Sequence, residues 1–161
     1  METEGIAPQA VIGHVHLKVA DLERAVSFYQ DVLGFDLMER LDRAAFLSAG
    51  GYHHHIGLNT WESEGAGPPP RHSTGLYHFA ILYPSRVALA KALRRVLEHG
   101  VRLDGAADHG VSEAIYLHDP DGNGIELYRD RERSEWPRDA SGAPVMGTGA
   151  LDLRALLREL G

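Results

Sequence analysis

The sequence predicts an α+β fold of two tandem β-α-β-β-β modules, whose mixed sheets pair into an open cup with the helices on its convex face. Two observations predict this fold. A pattern of one strand, one helix and three further strands begins at Val11 and starts again at Tyr77. The two halves also match as text, because His14 corresponds to His78 and a glycine ends the helix in both. Such self-similarity indicates a duplicated structural unit.

Composition narrows the class of protein. The 161 residues are enough for one domain with a sizeable core. A formal net charge of −7 without a basic cluster argues against nucleic acid as the main partner. The absence of cysteine excludes disulfides and thiolate metal sites. No apolar run is long enough for a membrane span and the first residues lack the features of a signal peptide, so we expect no membrane partner and a cytoplasmic location.

The first module, residues 11–65, follows a lead-in of residues 1–10. Along its first strand, alternation places His14 and His16 on the face opposite to the apolar residues. Asp21 can cap the helix that follows, and Gly34 can end it. The predicted strand, helix and three further strands are Val11–Val19, Leu22–Leu33, Phe35–Leu41, Arg43–Ser48 and His54–Asn59.

The second module, residues 74–130, follows a linker rich in Gly and Pro. Ser85 can cap its helix. The run Asp119–Gly122 is a strong turn signal, because Pro presets one backbone angle and Gly tolerates the exit geometry. A polar tail, residues 131–161, lies outside the repeat. The elements predicted here are Tyr77–Leu82, Arg86–Glu98, Val101–Leu103, Ala114–His118, Gly124–Arg129 and, in the tail, a short helix over Leu151–Leu160.

Strand parity brings three possible metal ligands to the concave side of the cup. The apolar residues of the two first strands pack under the helices, so His14 and His78 face the other way. Ile125 and Leu127 can enter the core, so Glu126 also faces the cup. Two imidazoles and a carboxylate with open coordination positions suit non-haem Fe(II), with Mn(II) or Zn(II) possible. The alternative is that these polar side chains line an ordinary cleft.

Over about residues 11–130 the chain resembles the vicinal oxygen chelate superfamily. The resemblance is carried by the strand–helix opening of residues 14–35 and by the closing run Asp119-Pro-Asp-Gly-Asn-Gly-Ile-Glu126. It implies paired modules and a metal held by the two histidines and the glutamate named above. Members include glyoxalases, fosfomycin-resistance thiol transferases, extradiol dioxygenases, epimerases and metal-free drug-binding proteins, so the superfamily alone does not give the reaction.

Within this group the details are most similar to the extradiol, catechol 2,3-type dioxygenases. Their acid–base histidine on the last strand of the first module is matched by His54, and their second-sphere histidine and tyrosine by His109 and Tyr116. The resemblance implies an Fe(II)-dependent enzyme that cleaves a small aromatic substrate with O₂, these three residues being catalytic. Most well-known members carry four modules, whereas this chain has two. A second copy commonly covers the open sheet edges of such cups, so we expect a homodimer.

The histidine triplet leaves the register of its strand open. His54 faces the cup only if Ile56 and Leu58 do too, whereas the other register presents His55 and Asn59. We prefer His54. His16 shares the cup face but has no assigned role.

Two other function classes compete with the dioxygenase. A glyoxalase-like metal-dependent isomerase, lyase or thiol transferase usually adds a fourth ligand, Glu, on the last strand of the first module. Residues 55–58 contain no carboxylate, which weighs against this class, although a histidine of the triplet could substitute for that ligand. A non-catalytic protein that binds a drug or another small molecule tends to lack the three metal ligands, and their presence here is the discriminating feature.

Overall fold

The computed structural model describes residues 5–70 and 72–161, so residues 1–4 of the predicted lead-in and Arg71 of the linker lie outside the described residues. The helices and strands are, in chain order, β1 Val15–Lys18, α1 Leu22–Ser27, β2 Asp36–Arg40, β3 Ala44–Ser48, β4 Ile56–Asn59, β5 Phe79–Leu82, α2 Arg86–Glu98, β6 Leu103–Asp108, β7 Ser112–His118, β8 Gly124–Asp130, β9 Gly149–Ala150 and α3 Leu153–Leu157.

The strands form two mixed sheets, one for each module. Sheet 1 has the order β1-β4-β3-β2, and sheet 2 the order β5-β8-β7-β6-β9. In both, the first strand of the module runs parallel to its last strand, while the other neighbours are antiparallel. The predicted α+β class with two β-α-β-β-β modules is therefore confirmed.

Helix α1 packs against β3 and β4 of sheet 1, α2 packs against β8 of sheet 2, and a single hydrophobic core joins the two modules. Leu17 and Val19 of the first module are buried, as are Ile125 and Leu127 of the second. The opposite side of each sheet, called here its open face, carries the polar residues that alternate with these apolar ones. Strand parity was thus predicted correctly on β1 and β8. None of the helices in the two described ranges has the length and apolar character needed to cross a membrane.

Several element boundaries differ from the predictions, most of all at the first strand and after the second helix. The first strand begins at Val15 rather than at Val11, and Val11 is exposed. The predicted strand Val101–Leu103 is wrong, because the strand starts at Leu103 and continues to Asp108. The reason lies at the end of α2, where the Val101 N–H bonds back to the Val96 carbonyl and so belongs to the helix terminus.

The first helix also departs from the predicted α-helix over Leu22–Leu33. After Ser27 the chain forms a π-helical turn over Phe28–Val32, in which the Leu33 N–H bonds to the Phe28 carbonyl. The wider turn places Tyr29 in the core. Such turns are rare and frequently occur at functional positions.

The turn between β7 and β8 docks on the first helix. The Tyr29 hydroxyl donates to Asp119 Oδ2 at 2.9 Å. Asp121 Oδ1 accepts from the Ala20 N–H at 2.9 Å and from the Arg24 guanidinium at 2.7 Å. Burial raises the pKa of Tyr29 well above 10.0, and the Asp119 carboxylate raises it further, so the phenol stays a donor. These bonds connect the two modules.

Candidate functional site

Three neighbouring strands of sheet 2 bring one group of the predicted site residues together on its open face. Tyr116 of β7 lies directly opposite Glu126 of β8 in the antiparallel ladder, so both side chains share one side. The Tyr116 hydroxyl lies 3.3 Å from Glu126 Oε1. His78 immediately precedes β5, which is parallel to β8, and its Nε2 lies 3.1 Å from Glu126 Oε2.

A glycine allows the approach of His78. A Cβ on Gly124 would overlap the Tyr77 carbonyl oxygen and lie 3.1 Å from the His78 Cβ. The second glycine of the closing run is therefore required by packing, since any side chain would push the entry to β5 away from β8. This is the structural reason for the sequence Asn-Gly-Ile before Glu126.

His109 extends the group beyond the strands. It follows β6, and its Nε2 lies 2.9 Å from the Tyr116 hydroxyl. Its Nδ1 lies 2.9 Å from the Gly147 carbonyl oxygen in the tail. The structure therefore places His109, Tyr116, Glu126 and His78 in one contiguous series, in which Tyr116 lies within hydrogen-bond distance of His109 and Glu126, and Glu126 lies at ion-pair distance from His78. Burial raises the pKa of Tyr116, and the charge and hydrogen bond of Glu126 raise it further, so the phenol is protonated near neutral pH.

The other predicted residues lie on the open face of sheet 1. The His14 ring packs against the His54 ring with centroids 4.5 Å apart, and His54 packs edge-on against Phe46 at 5.1 Å. His16 lies beside Trp61, with ring centroids 5.6 Å apart. Burial lowers the pKa of both His16 and His54, and the neighbouring His14 lowers it further, which favours neutral imidazoles.

The sequence analysis did not identify Phe46 and Trp61, which pack beside these histidines, or Gly57, which lies under the His16 ring. A Cβ on Gly57 would lie 2.9 Å from the His16 Cγ, so the imidazole can rest on the strand only over a glycine. A glycine inside a β-strand is a signal for such a close approach, and it could have identified the contact.

Of the histidine triplet, His54 lies on the open face of sheet 1, although the register of its strand does not predict this. Ile56 and Leu58 face the core, which by strict alternation would turn His54 away from the open face. The strand, however, starts only at Ile56, and bends at His53 and His55 break the alternation before it. His54 therefore still packs against His14. The His55 ring instead lies 3.1 Å from the Ser48 hydroxyl.

The predicted metal ligands are brought together only in part. The 3.1 Å between His78 Nε2 and Glu126 Oε2 suits two neighbouring donors, since bonds of about 2.1 Å at right angles put their atoms about 3 Å apart. Within residues 5–70 and 72–161, however, no three His, Asp or Glu side chains form a group that could hold a metal ion. His14 does not join the pair, so the described chain does not fit the ion by itself. The site of His14, His78 and Glu126 stays a prediction.

The chain is similar in sequence to two dioxygenases. It is 50% identical over 151 residues to catechol-2,3-dioxygenase of Bacillus subtilis (strain 168), covering 93% of this chain and 52% of the relative. It is 30% identical over 121 residues to biphenyl-2,3-diol 1,2-dioxygenase 3 of Rhodococcus globerulus, covering 74% and 63%. The chain thus spans only about half to two thirds of the length of these relatives.

The fold of this chain is similar to that of solved structures, and its sequence matches a known family. A glyoxalase/dioxygenase from Nostoc punctiforme superposes with a TM-score of 0.65 at 21% identity, covering 81% of this chain and 99% of that one. Residues 11–127 match the profile described as the Glyoxalase/Bleomycin resistance protein/Dioxygenase superfamily. This match covers well over half of the sequence. The chain therefore belongs to the glyoxalase/bleomycin resistance protein/dioxygenase superfamily.

Proposed function

We propose that the protein is an extradiol-type dioxygenase that cleaves the ring of a catecholic substrate with O₂ in the cytoplasm. The observation that carries this proposal is the contiguous series of His109, Tyr116, Glu126 and His78, which combines two candidate metal donors with two groups able to transfer a substrate proton. The similarity to a catechol-2,3-dioxygenase supports it. The metal of the proposal is Fe(II), with Mn(II) or Zn(II) as alternatives.

Tyr116 and His109 would bind and deprotonate the substrate. A catechol hydroxyl at the Tyr116 oxygen can give its proton to that oxygen while the phenol gives its own proton to His109 Nε2. One O–H bond breaks on the substrate, one O–H bond is exchanged on Tyr116, and one N–H bond forms on His109. The catechol leaves this step as a monoanion and His109 as an imidazolium.

The open face of sheet 1 would supply the apolar part of the substrate site. The centroid of the His16 ring lies 5.9 Å from that of Phe46 and 5.6 Å from that of Trp61. An aromatic substrate can stack against such a surface. His54, beside His14, would act as the acid–base group, since a neutral imidazole can accept a proton and return it.

We propose a homodimer in which the second copy completes this site. Exposed apolar residues precede both candidate histidine ligands: Val11 and Ile12 are 84% and 91% exposed, and Leu76 and Tyr77 are 55% and 89% exposed. Contact between sheet 1 of one copy and sheet 2 of the other would cover them. The same contact would bring His14 to the pair of His78 and Glu126.

Complementation tests the dimer. His14→Ala and Glu126→Gln, each unable to bind metal alone, should regain about a quarter of the wild-type Mn(II) sites when refolded as a mixture, because half of the dimers then hold one intact site. Mn(II) is counted by electron paramagnetic resonance. No recovery, with dimers formed, would contradict a site shared between copies.

Anaerobic reconstitution tests the reaction. The protein is loaded with Fe(II), mixed with a panel of catechols, and exposed to air, and we expect the yellow ring-fission product. Glu126→Gln and His78→Ala should abolish colour, whereas His99→Gln should not, because the His99 ring bonds to the Arg95 carbonyl at the end of its own helix and lies outside the candidate site. Bound iron without colour would reject the dioxygenase and favour a glyoxalase-like lyase, to be assayed with the hemithioacetal of methylglyoxal and glutathione.

A further inference from the structure

The tail returns to the site along the free edge of sheet 2. Strand β9 pairs with β6 in antiparallel register, with Ala107 opposite Ala150 and Asp108 opposite Gly149. Just before β9, Gly147 bonds to His109 in both directions. Its N–H donates to the His109 carbonyl at 3.1 Å, and its carbonyl lies 2.9 Å from His109 Nδ1. The tail thus holds both the backbone and the ring of His109.

The partners of the His109 ring determine where its proton lies. A backbone carbonyl can only accept, so the bond to Gly147 requires a proton on Nδ1. A neutral imidazole carries one N–H, which leaves Nε2 as an acceptor. The Tyr116 hydroxyl, 2.9 Å away, is then the donor. The hydroxyl has a single proton, so donation to His109 at 2.9 Å competes with donation to Glu126 Oε1 at 3.3 Å, and the shorter contact is favoured.

Both sides of this tail segment are anchored to the fold. The Val145 N–H donates to the Pro137 carbonyl at 2.8 Å, and Pro137 packs against Gly110, directly after His109. On the other side, Leu156 of α3 is fully buried in the core. The contacts on both sides of Gly147 therefore fix the position of the carbonyl that faces His109.

We propose that the tail segment of residues 145–150 is a positioning element of the site, in which the Gly147 carbonyl holds neutral His109 as the Nδ1–H tautomer. This tautomer directs the Tyr116 proton towards His109 Nε2 and leaves the phenol oxygen to accept from a substrate hydroxyl. Without it, His109 could donate from Nε2 and occupy that oxygen. Only the role towards a substrate rests on the proposed function; the tautomer itself does not.

Nitrogen NMR of the metal-free protein tests the tautomer. Long-range ¹H–¹⁵N correlations distinguish the two neutral forms, and at pH 8 we expect His109 as Nδ1–H. Tyr116→Phe should retain this form, because Gly147 and not Tyr116 fixes it. An Nε2–H signal in the unmodified protein, or a switch of tautomer in Tyr116→Phe, would overturn the proposal.

A backbone substitution tests the carbonyl itself. Replacing Thr148 by its α-hydroxy acid turns the Gly147 carbonyl into an ester, a weaker acceptor, and should lower the ratio of Nδ1–H to Nε2–H by about five-fold. Thr148→Ala keeps the amide and should leave the ratio unchanged. An unchanged ratio in the folded ester variant would also overturn the proposal. Because no activity is read, failure here is distinct from failure of the dioxygenase assignment.

Discussion

Removal of one hydroxyl at the contact between the modules should destabilise the whole chain. Tyr29 is fully buried, and its hydroxyl donates to Asp119 Oδ2 at 2.9 Å. Tyr29→Phe keeps the ring in the core and deletes only this bond. Asp119 keeps its other partners, since the Asn123 amide donates to the same oxygen at 2.8 Å. The Asp119 carboxylate therefore loses one hydrogen bond and keeps the others.

The expected loss follows from the charge of the acceptor. A hydrogen bond to a charged group contributes about 1.5–3 kcal/mol, and the remaining bond to Asn123 favours the lower part of that range, about 1.5–2 kcal/mol. For a chain of this size, that loss lowers the midpoint of thermal unfolding by about 3–8 °C. Urea titration and a thermal scan, both followed by circular dichroism, measure the change.

A matched control is available in the second module. Tyr83 is only partly buried, and its hydroxyl donates no hydrogen bond to any part of the chain that the structure describes. Tyr83→Phe should therefore change the free energy of unfolding by less than about 0.5 kcal/mol. The reasoning is refuted if Tyr29→Phe melts with the wild type, or if its effect is equally large in an Asp119→Asn background, where the acceptor carries no charge.

Three further predictions concern other parts of the fold. Gly57→Ala should cost about 1–3 kcal/mol in urea titrations and much less in a His16→Ala background, because the new methyl displaces the His16 ring. Leu156→Ala should cost about 2–5 kcal/mol, since it opens a cavity between α3 and the core. Folding lowers the pKa values of His16 and His54, so near pH 6.5 and below the unfolded chain binds more protons than the folded chain does. The free energy of unfolding should therefore fall from pH 7.5 to 5.5. It should fall less steeply when both histidines are replaced by Gln.

The parts of the fold that sequence reasoning predicted well depend on local chemistry. Asp21 and Ser85 were predicted as helix caps, and their side chains accept from the N–H three residues later, at 3.0 and 3.1 Å. The turn at Asp119 was also predicted, and its carboxylate holds the N–H groups of Asp121 and Asn123. A cap or an Asx turn involves neighbours within a few positions, so its residues can be recognised in the text.

The parts that were missed depend on partners far along the chain. β9 forms because Gly149 and Ala150 meet the edge of β6, and nothing in these two residues indicates that partner. The π-helical turn over Phe28–Val32 has ordinary helix-forming residues, and its wider winding accompanies the burial of Tyr29 beside Asp119. Tertiary contacts, rather than propensity, determine such features.

In the candidate site too, contacts within one sheet could be predicted from the sequence, whereas contacts between the two sheets could not. Alternation along a strand fixes which side of its own sheet a residue occupies, and ladder pairing then brings side chains on neighbouring strands together. Tyr116 and Glu126 satisfy both conditions within sheet 2, so alternation together with strand pairing accounts for their contact. His14 lies on sheet 1, and parity carries no information about how one sheet is placed relative to another. In the proposed homodimer the metal site depends on contact between open faces of two copies, so complementation of His14→Ala by Glu126→Gln is the measurement that tests this prediction.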